Sequence, residues 1–408
     1  MNVVLRLSGQ HHSLLQTKLF PGDGKEAVAI ALCGRRNDND RHYLSVHQLH
    51  FLSDEDYAER AADRVTWKTD FLVPLLEQAA KRGWAVVKIH SHPGGFSEFS
   101  EQDDVSDAEL FTSVFGWVDD DLPHASAVML PDGKLFGRAF KVDCTHSPLT
   151  YIAVAGEDLH FWLSTAESEG GDGIGTQEFA RRHAQAFGKG TTQQLQRLSI
   201  AVVGCSGTGS PVVEQLARLG VGRLLLVDPD HIEEKNLNRI LNSTMRDAQK
   251  STPKVEVLRR AIEAMGLGTK VETHASNLFD PEIVKAVAGC DVLFGCMDSV
   301  DGRYLLNRLA TFYCIPYFDL GVKLQADGEG GVEQICGSVH YLQPGGSSLL
   351  SRNVLTLEQV KASGLKRREP EAYEEQLKSK YITGVNEDRP AVISVNMLIA
   401  SLGVNELL

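Results

Sequence analysis

The sequence predicts an α/β protein of two domains, and three observations carry that prediction. The chain has 408 residues, more than a single hydrophobic core usually serves. A stretch rich in glycine and acid and poor in apolar residues, "TAESEGGDGIGT" from Thr165 to Thr176, has the composition of a linker. On its two sides, strand-like and helix-like runs alternate in different rhythms. The expected boundaries are 1–164 for an N-terminal domain, 165–176 for the linker and 177–408 for a C-terminal domain.

Upstream of the linker, "AVAIALC" from Ala27 reads as a buried strand. The stretch from Asp56 to Gly83 reads as helical, with Gly83 as its stop. "WAVVKIH" from Trp84 is a second strand, and "SAVMLPDGKLFGRAF" is a hairpin turning at Pro131-Asp132-Gly133. Adjacent strands of this kind make a mixed α/β domain, not a regular alternation. Downstream the rhythm changes. "LSIAVVG" ends in a Gly-rich turn, the helix "SPVVEQLARLG" follows, and then come "RLLLVDPD", the strand "DVLFGCMD" and the helix "RYLLNRLATFY". That alternation is the pattern of a doubly wound, mostly parallel sheet.

Composition narrows the function. Hydrophobic residues make up 42% and charged residues 23%, the balance of an ordinary globular chain and not of a disordered one. A net charge of −13 argues against nucleic acid or an acidic membrane as partner, because phosphate contacts need clustered Lys and Arg. No apolar stretch is long enough for a membrane span, and the N-terminus lacks the features of a secretory signal. The seven cysteines are scattered without a C-x-x-C pair, which fits a reducing cytoplasm.

Two constellations carry chemistry. In "IHSHPGGFSEFSEQDD", His90 and His92 are one residue apart on an extended segment and therefore point to the same side, where both imidazoles reach one cation. Asp103 is a candidate third ligand, and Ser100, three residues earlier, is placed to cap a helix and aim that carboxylate. Three protein ligands leave a fourth position for water, which is the catalytic zinc pattern. The full string H-x-H-P-x(6)-S-x-x-D resembles the JAMM (JAB/MPN) metalloprotease family over roughly residues 1 to 160. The resemblance implies zinc on His90, His92 and Asp103, Glu26 in "GKEAVAIALCG" as general base, and Ser100 as oxyanion stabiliser. It also implies substrates joined at the C-terminus of a ubiquitin-like protein.

The second constellation is "VVGCSGTGS". Gly204, Gly207 and Gly209 follow a strand and open a helix, where backbone N–H groups hold phosphate. Ser206 stands where a dinucleotide fingerprint wants glycine, and Asp228 at the end of the next strand is placed for ribose, so an adenosine nucleotide is expected without a choice between NAD and ATP. The following "VDPDHIEEKNLNR" resembles the D-x-D-x-(V/I)-x-x-x-N-L-x-R signature of ThiF-type, ubiquitin-activating-enzyme-like adenylyltransferases. "FARRHAQAFG", "TPK", "CMDSVDGRYLLN" and "RPAVISVNMLIASLGVNELL" extend that resemblance from about Phe179 to Leu408. It implies a Rossmann-like adenylation domain using ATP and Mg²⁺ on the C-terminal carboxylate of a ubiquitin-like protein. Arg182, Arg239 and Lys254 would supply positive charge, Asp228 and Asp230 the acidic motif with ribose on Asp228, Asn236 phosphate orientation and Asp298 the magnesium. In this family the finger arginine often comes from a partner subunit, so a homodimer is implied, and a conjugating-enzyme-like protein is a candidate further partner.

The chain departs from that pattern in one place. "QPGGSSLLSRNVL" has Ser348 and Ser351 where many relatives carry a cysteine pair, and no cysteine follows Cys336. Three expectations stay open: direct transfer from the acyl-adenylate, use of Cys336 or Cys314, or an oxyester on Ser347, Ser348, Ser351 or Ser363. The alternative assignment keeps both chemistries but serves a sulfur-carrier protein in biosynthesis. A binding scaffold with two vestigial sites and an NAD-dependent dehydrogenase are the readings from other classes.

Overall fold

The computed structural model describes residues 2–37, 41–164, 178–326, 332–378 and 392–408, so the expected linker at 165–176 lies outside the described residues. The chain divides into two compact units, residues 1–175 with 312–314, and residues 176–311 with 315–408. Among the described residues no helix is long and apolar enough to cross a membrane.

The first unit is built on a nine-stranded mixed sheet. Its elements are β1 (Val3–Ser8), α1 (Gly9–Leu19), β2 (Val28–Asn37), β3 (His42–Phe51), β4 (Tyr57–Arg60), β5 (Val65–Trp67), α2 (Val73–Arg82), β6 (Ala85–Ser91), α3 (Glu101–Val118), β7 (His124–Met129), β8 (Leu135–Phe140), β9 (His146–Pro148), β10 (Tyr151–Ala155) and β11 (Leu159–Leu163). The strand order is β11-β10-β1-β3-β2-β6-β7-β8-β9, with β4 and β5 forming a separate pair. Alternation along β2 assigns its two faces. Ala29, Ala31 and Cys33 pack with Leu15 and Leu19 of α1, whereas Val28, Ile30 and Leu32 pack with Leu75 and Leu76 of α2 and with Phe111 and Val114 of α3. A strand buried on both sides has to read as an unbroken apolar run.

The helix expected from Asp56 to Gly83 forms only in its last part. Tyr57–Arg60 and Val65–Trp67 are antiparallel strands, with Tyr57 opposite Trp67. Aromatic and β-branched side chains favour that pairing. Helix α2 begins beside Pro74, which suits the first turn, and ends at Gly83, whose φ of 62° is the left-handed conformation of a helix stop.

The second unit contains α4 (Arg181–Arg197), β12 (Ser199–Val203), α5 (Gly209–Arg218), β13 (Arg223–Val227), α6 (Met245–Gln249), α7 (Lys254–Met265), β14 (Lys270–His274), α8 (Pro281–Ala288), β15 (Val292–Gly295), α9 (Val300–Phe312), β16 (Tyr317–Ala326), β17 (Val332–Leu342), α10 (Leu357–Arg368), α11 (Pro370–Lys378) and α12 (Ile393–Leu407). The sheet runs β14-β13-β12-β15-β16-β17, parallel except for β17. From β12 the chain builds outward through β13 to β14, then returns to the other side of β12 with β15. The C-terminal ends of β12 and β15 therefore flank the crevice where strand order reverses, the place at which doubly wound sheets bind ligands.

Candidate active sites

In the first unit the sheet register sets the geometry. Strands β2 and β6 are antiparallel with Val28 opposite His90, and the Ser91 amide bonds the Ala27 carbonyl at 3.0 Å. Continuing that register by two residues sets Glu26 opposite His92. The backbone of Glu26 is pinned by its amide to the Ala61 carbonyl at 2.8 Å and by the Arg60 guanidinium donating to its own carbonyl at 2.8 Å. The strand pair β4–β5 thus anchors the segment that bears the carboxylate.

Helix α3 supplies the third group. Ser100 is its N-cap in a capping box with Asp103. The Ser100 amide and hydroxyl both donate to Asp103 Oδ2, at 2.8 and 2.7 Å, which turns Oδ1 toward His90 Nε2 at 2.9 Å. His92 Nε2 lies 3.1 Å from His90 Nε2 and 3.5 Å from Asp103 Oδ2. His92 Nδ1 donates to the Phe96 carbonyl at 2.7 Å, the tautomer that leaves Nε2 with a free lone pair facing the other two groups. Among the described residues this is the one trio of His, Cys, Asp or Glu whose ligand atoms converge, within 4.8 Å of one another. Two imidazole nitrogens and one carboxylate oxygen, all buried, fit a zinc ion in chemistry and number.

Burial sets the charges here. It pushes the Glu26 carboxyl up to about 7 and the His90 imidazole down to about 4. For Asp103 burial acts upward, but the neighbouring His90 and His92 and the Ser100 amide outweigh it and hold the group far below the usual carboxylate range. Behind this trio lies a second buried charge cluster, Lys88, Asp107 and Arg138, which the sequence reading did not single out. Its signal was present: Lys88 stands two before His90 on a strand and Asp107 four after Asp103 on a helix, so each shares the face of a ligand.

In the second unit, the turn from Gly204 to Gly209 occupies the mouth of the β12/β15 crevice. Gly204 has a φ of 92°, and a Cβ there would stand 2.7 Å from the Cys296 carbonyl carbon at the end of β15. A Cβ on Gly209 would meet the Gly204 oxygen at 1.8 Å, so the turn closes only around glycine. Asp228 holds the turn from below. Its Oδ2 accepts the Cys205 amide at 2.6 Å and its Oδ1 the Asp230 amide at 2.9 Å. Lys254, buried at the first residue of α7, donates to Asp230 Oδ2 at 2.7 Å and lies 3.9 Å from Asp228 Oδ1. Burial pushes the Asp228 carboxyl up, with Lys254 opposing.

The remaining residues divide into those at the turn and those away from it. Arg239 reaches it, since a Cβ on Gly207 would stand 3.2 Å from Arg239 Cδ, and Arg239 Nη1 donates to the Lys235 carbonyl at 2.8 Å. Asn236 is buried with its side-chain oxygen accepting the Glu233 amide at 3.0 Å, so it fixes the loop that carries Arg239. Asp298 is exposed two residues beyond Cys296. Arg182 is exposed on the first turn of α4 with no ion pair among the described residues. Asn396 of α12, not singled out in sequence, lies against the turn, 2.6 Å from the place of a Gly207 Cβ and accepting from the Thr208 hydroxyl at 3.3 Å. Its signal was one amide inside the apolar run "ISVNMLIASLGV"; the preceding residues of that expected closing segment, 389–391, lie outside the described residues.

The four candidate serines differ in their partners. Ser348 and Ser351 bond each other, the Ser348 amide to Ser351 Oγ at 2.8 Å and the Ser351 amide to Ser348 Oγ at 3.1 Å. Ser347 accepts from Arg352 at 2.7 Å. Ser363 donates to Asp301 Oδ1 at 2.8 Å, while Arg367 donates to the other oxygen at 2.8 Å. Asp301 is buried in the first turn of α9, three residues after Asp298. Cys314 is buried, its thiol pushed up to about 12 by burial, and Cys336 is exposed on β17.

Comparison with known proteins agrees with both halves. Residues 10–140 match the family of prokaryotic homologs of the JAB domain, and residues 179–373 match the ThiF family. The "Ubiquitin-like modifier-activating enzyme 5" of Drosophila persimilis is 26% identical over 166 residues, 38% of this chain and 40% of the relative. The "SAMP-activating enzyme E1" of Haloferax volcanii is 34% identical over 117 residues, 29% of this chain and 43% of the relative. The "Sulfur carrier protein adenylyltransferase" of Thermus thermophilus is 30% identical over 160 residues, 38% of this chain and 58% of the relative. The chain thus spans about 40% of the length of the first of these relatives. The solved structure of E. coli MccB with ATP aligns at 19% identity and a TM-score of 0.41, covering 56% of this chain and 62% of that one. Residues 10–140 therefore belong to the prokaryotic homologs of the JAB domain and residues 179–373 to the ThiF family, and the chain is a fusion of the two.

Proposed function

We propose that the C-terminal unit adenylates the C-terminal carboxylate of a ubiquitin-like or sulfur-carrier protein, and that the N-terminal unit is a zinc peptidase acting on bonds made from that terminus. The observation that carries the first half is the glycine turn at the β12/β15 crevice, with Asp228, Lys254 and Arg239 around it and Asp298 at the facing strand end. Backbone amides at such a turn hold phosphate. Lys254 and Arg239 add the positive charge that an attack on the α-phosphorus needs. Magnesium, when bound at Asp298, neutralises charge on the departing pyrophosphate. The family resemblance implies a homodimer in which Arg182, exposed on the first turn of α4, serves the neighbouring copy's site.

In the N-terminal unit, His90, His92 and Asp103 would hold the zinc, which when bound supplies a water acidic enough to ionise near neutral pH. Glu26, which the strand register sets opposite His92, would take the proton. Ser100, whose hydroxyl donates to Asp103 in the resting arrangement, stabilises the oxyanion once substrate arrives. A peptidase and an activator on one chain meet the same carrier at raised local concentration.

Among acyl acceptors, Ser363 has the strongest support after direct transfer, because its hydroxyl alone of the four donates to a carboxylate, and that carboxylate follows Asp298 by three residues. The test of the leading reading is pyrophosphate exchange into ATP, stimulated by a candidate carrier with a free C-terminus. Asp298→Ala should abolish the exchange. No exchange with any ubiquitin-like or sulfur-carrier protein sinks it.

A further inference from the structure

Lys88, Asp107 and Arg138 are 2%, 0% and 4% exposed, three full charges inside one domain. Lys88 Nζ meets Asp107 Oδ1 at 2.7 Å, and Arg138 donates to Asp107 Oδ2 through Nη2 at 2.8 Å and Nε at 3.2 Å. Arg138 also pairs with Asp104, and its guanidinium stacks 3.9 Å from the centre of the Phe99 ring. Such a cluster is a poor way to gain stability. Removing charges from water costs several kcal/mol each, and well-packed apolar residues of the same volume often serve as well or better. What an ionic cluster adds over an apolar one is a fixed register between the elements that carry it.

That register matters here. The metal-ligand trio draws His90 from strand β6, His92 from the residue just past its end and Asp103 from helix α3, which only the loop between them ties to the strand. Zinc sites tolerate departures of only about 0.2 Å in ligand distance, whereas one residue of helix is about 1.5 Å. Lys88 and Asp107 join the same two elements one layer deeper than His90 and Asp103: two residues back on the strand, one turn on along the helix. Arg138 fixes the joint from β8. Through Asp104 and Phe99 it holds both the first turn of α3 and the loop that enters it.

We propose that Lys88, Asp107 and Arg138 are the positioning layer of the metal centre, setting the place of the Asp103 carboxylate relative to the two imidazoles before a metal arrives. This rests on the metal-site reading above. None of the three touches the reacting atoms; they act through Asp103.

The experiment uses the full chain. Zinc affinity is measured by competition against a chromogenic chelator, and cobalt(II) is substituted to record the visible spectrum of the site. Two variants are compared with the parent: Asp107→Asn, which breaks the charge balance, and the double variant Lys88→Met/Asp107→Leu, which refills the volume with apolar groups. The thermal transition of the first unit reports folding. The expected result is a loss of about 10- to 100-fold in zinc affinity, with an altered cobalt spectrum, in the double variant although it folds. A folded double variant with parental zinc affinity and an unchanged cobalt spectrum overturns the proposal, even if Asp107→Asn fails to fold. A parent chain that takes up no zinc takes down the metal reading and this inference together, an outcome distinct from tight zinc in both proteins.

Discussion

Ser363 differs from Ser347, Ser348 and Ser351 in what its hydroxyl faces, a carboxylate whose second oxygen is held by Arg367. A serine hydroxyl needs a neighbouring base to attack an acyl group. In the step expected of it, the serine oxygen bonds the acyl carbon of the adenylate, the bond to AMP breaks, AMP leaves, and the serine proton passes to Asp301. Incubation with ATP and carrier should then give an adduct that survives thiol reductant and is cleaved by alkali. Ser363→Ala should lose it while pyrophosphate exchange persists, and Ser363→Cys should convert it to a reductant-labile thioester. Loss of the adduct in Cys336→Ala alone would exclude the serine, and no adduct with any carrier would leave direct transfer. Single residues were legible in sequence where they fall in one short window, as His90, His92 and Asp103 do. Lys88, Asp107 and Arg138 were not, because charged residues read as surface until their partners are known, and Arg138 is 31 residues from Asp107.

At the scale of elements, legibility followed local pattern. The strands β2, β6, β12 and β15 show as apolar runs because both faces are buried, and α2 shows its stop at Gly83. The pair β4–β5 did not show, since "DYAERAADRVTW" carries enough helix-favouring residues to hide two short strands whose pairing is decided at long range. The short helix α6 offers a test of its own. Thr244 caps it in a box with Asp247, and Arg260 grips that carboxylate with two bonds of 3.0 Å. The Arg260 bonds, together with those from Thr244, outweigh burial and hold the Asp247 carboxyl down to about 2. A depressed carboxyl stabilises the fold above its unfolded value and loses that contribution as pH falls through the folded value. The gap in melting temperature between the parent and Asp247→Asn should therefore be full at pH about 5 and close toward pH about 2. A gap independent of pH would show that the ionised pair contributes nothing.

For the whole molecule, the relevant fact is that each unit has its own sheet and core. The fold class and the fusion of two families were readable because each half announces itself by motif and rhythm; the strand order of the first sheet was not, since no local spacing encodes a nine-stranded mixed order. A ligand that binds only the folded state at about 100 times its Kd adds about 2.7 kcal/mol of stability to the part that binds it. Calorimetry should accordingly show zinc raising one unfolding transition and magnesium-ATP raising another. One transition that moves as a unit with either ligand would contradict this.

The register that sets Glu26 opposite His92 also makes the proposed peptidase easy to lose. Deleting Ala27 alone would slide Lys25 and Glu26 forward by one position, turning the carboxylate to the opposite side of the sheet and presenting an ammonium group to the imidazoles. The apolar strand beyond would keep its pairing, at the cost of a carboxylate in the core place of Ala27. Evolution could thus retire hydrolysis by a single codon and leave an intact activator behind, which makes the spacing between Glu26 and Val28 the place to look when sorting working enzymes from silent ones.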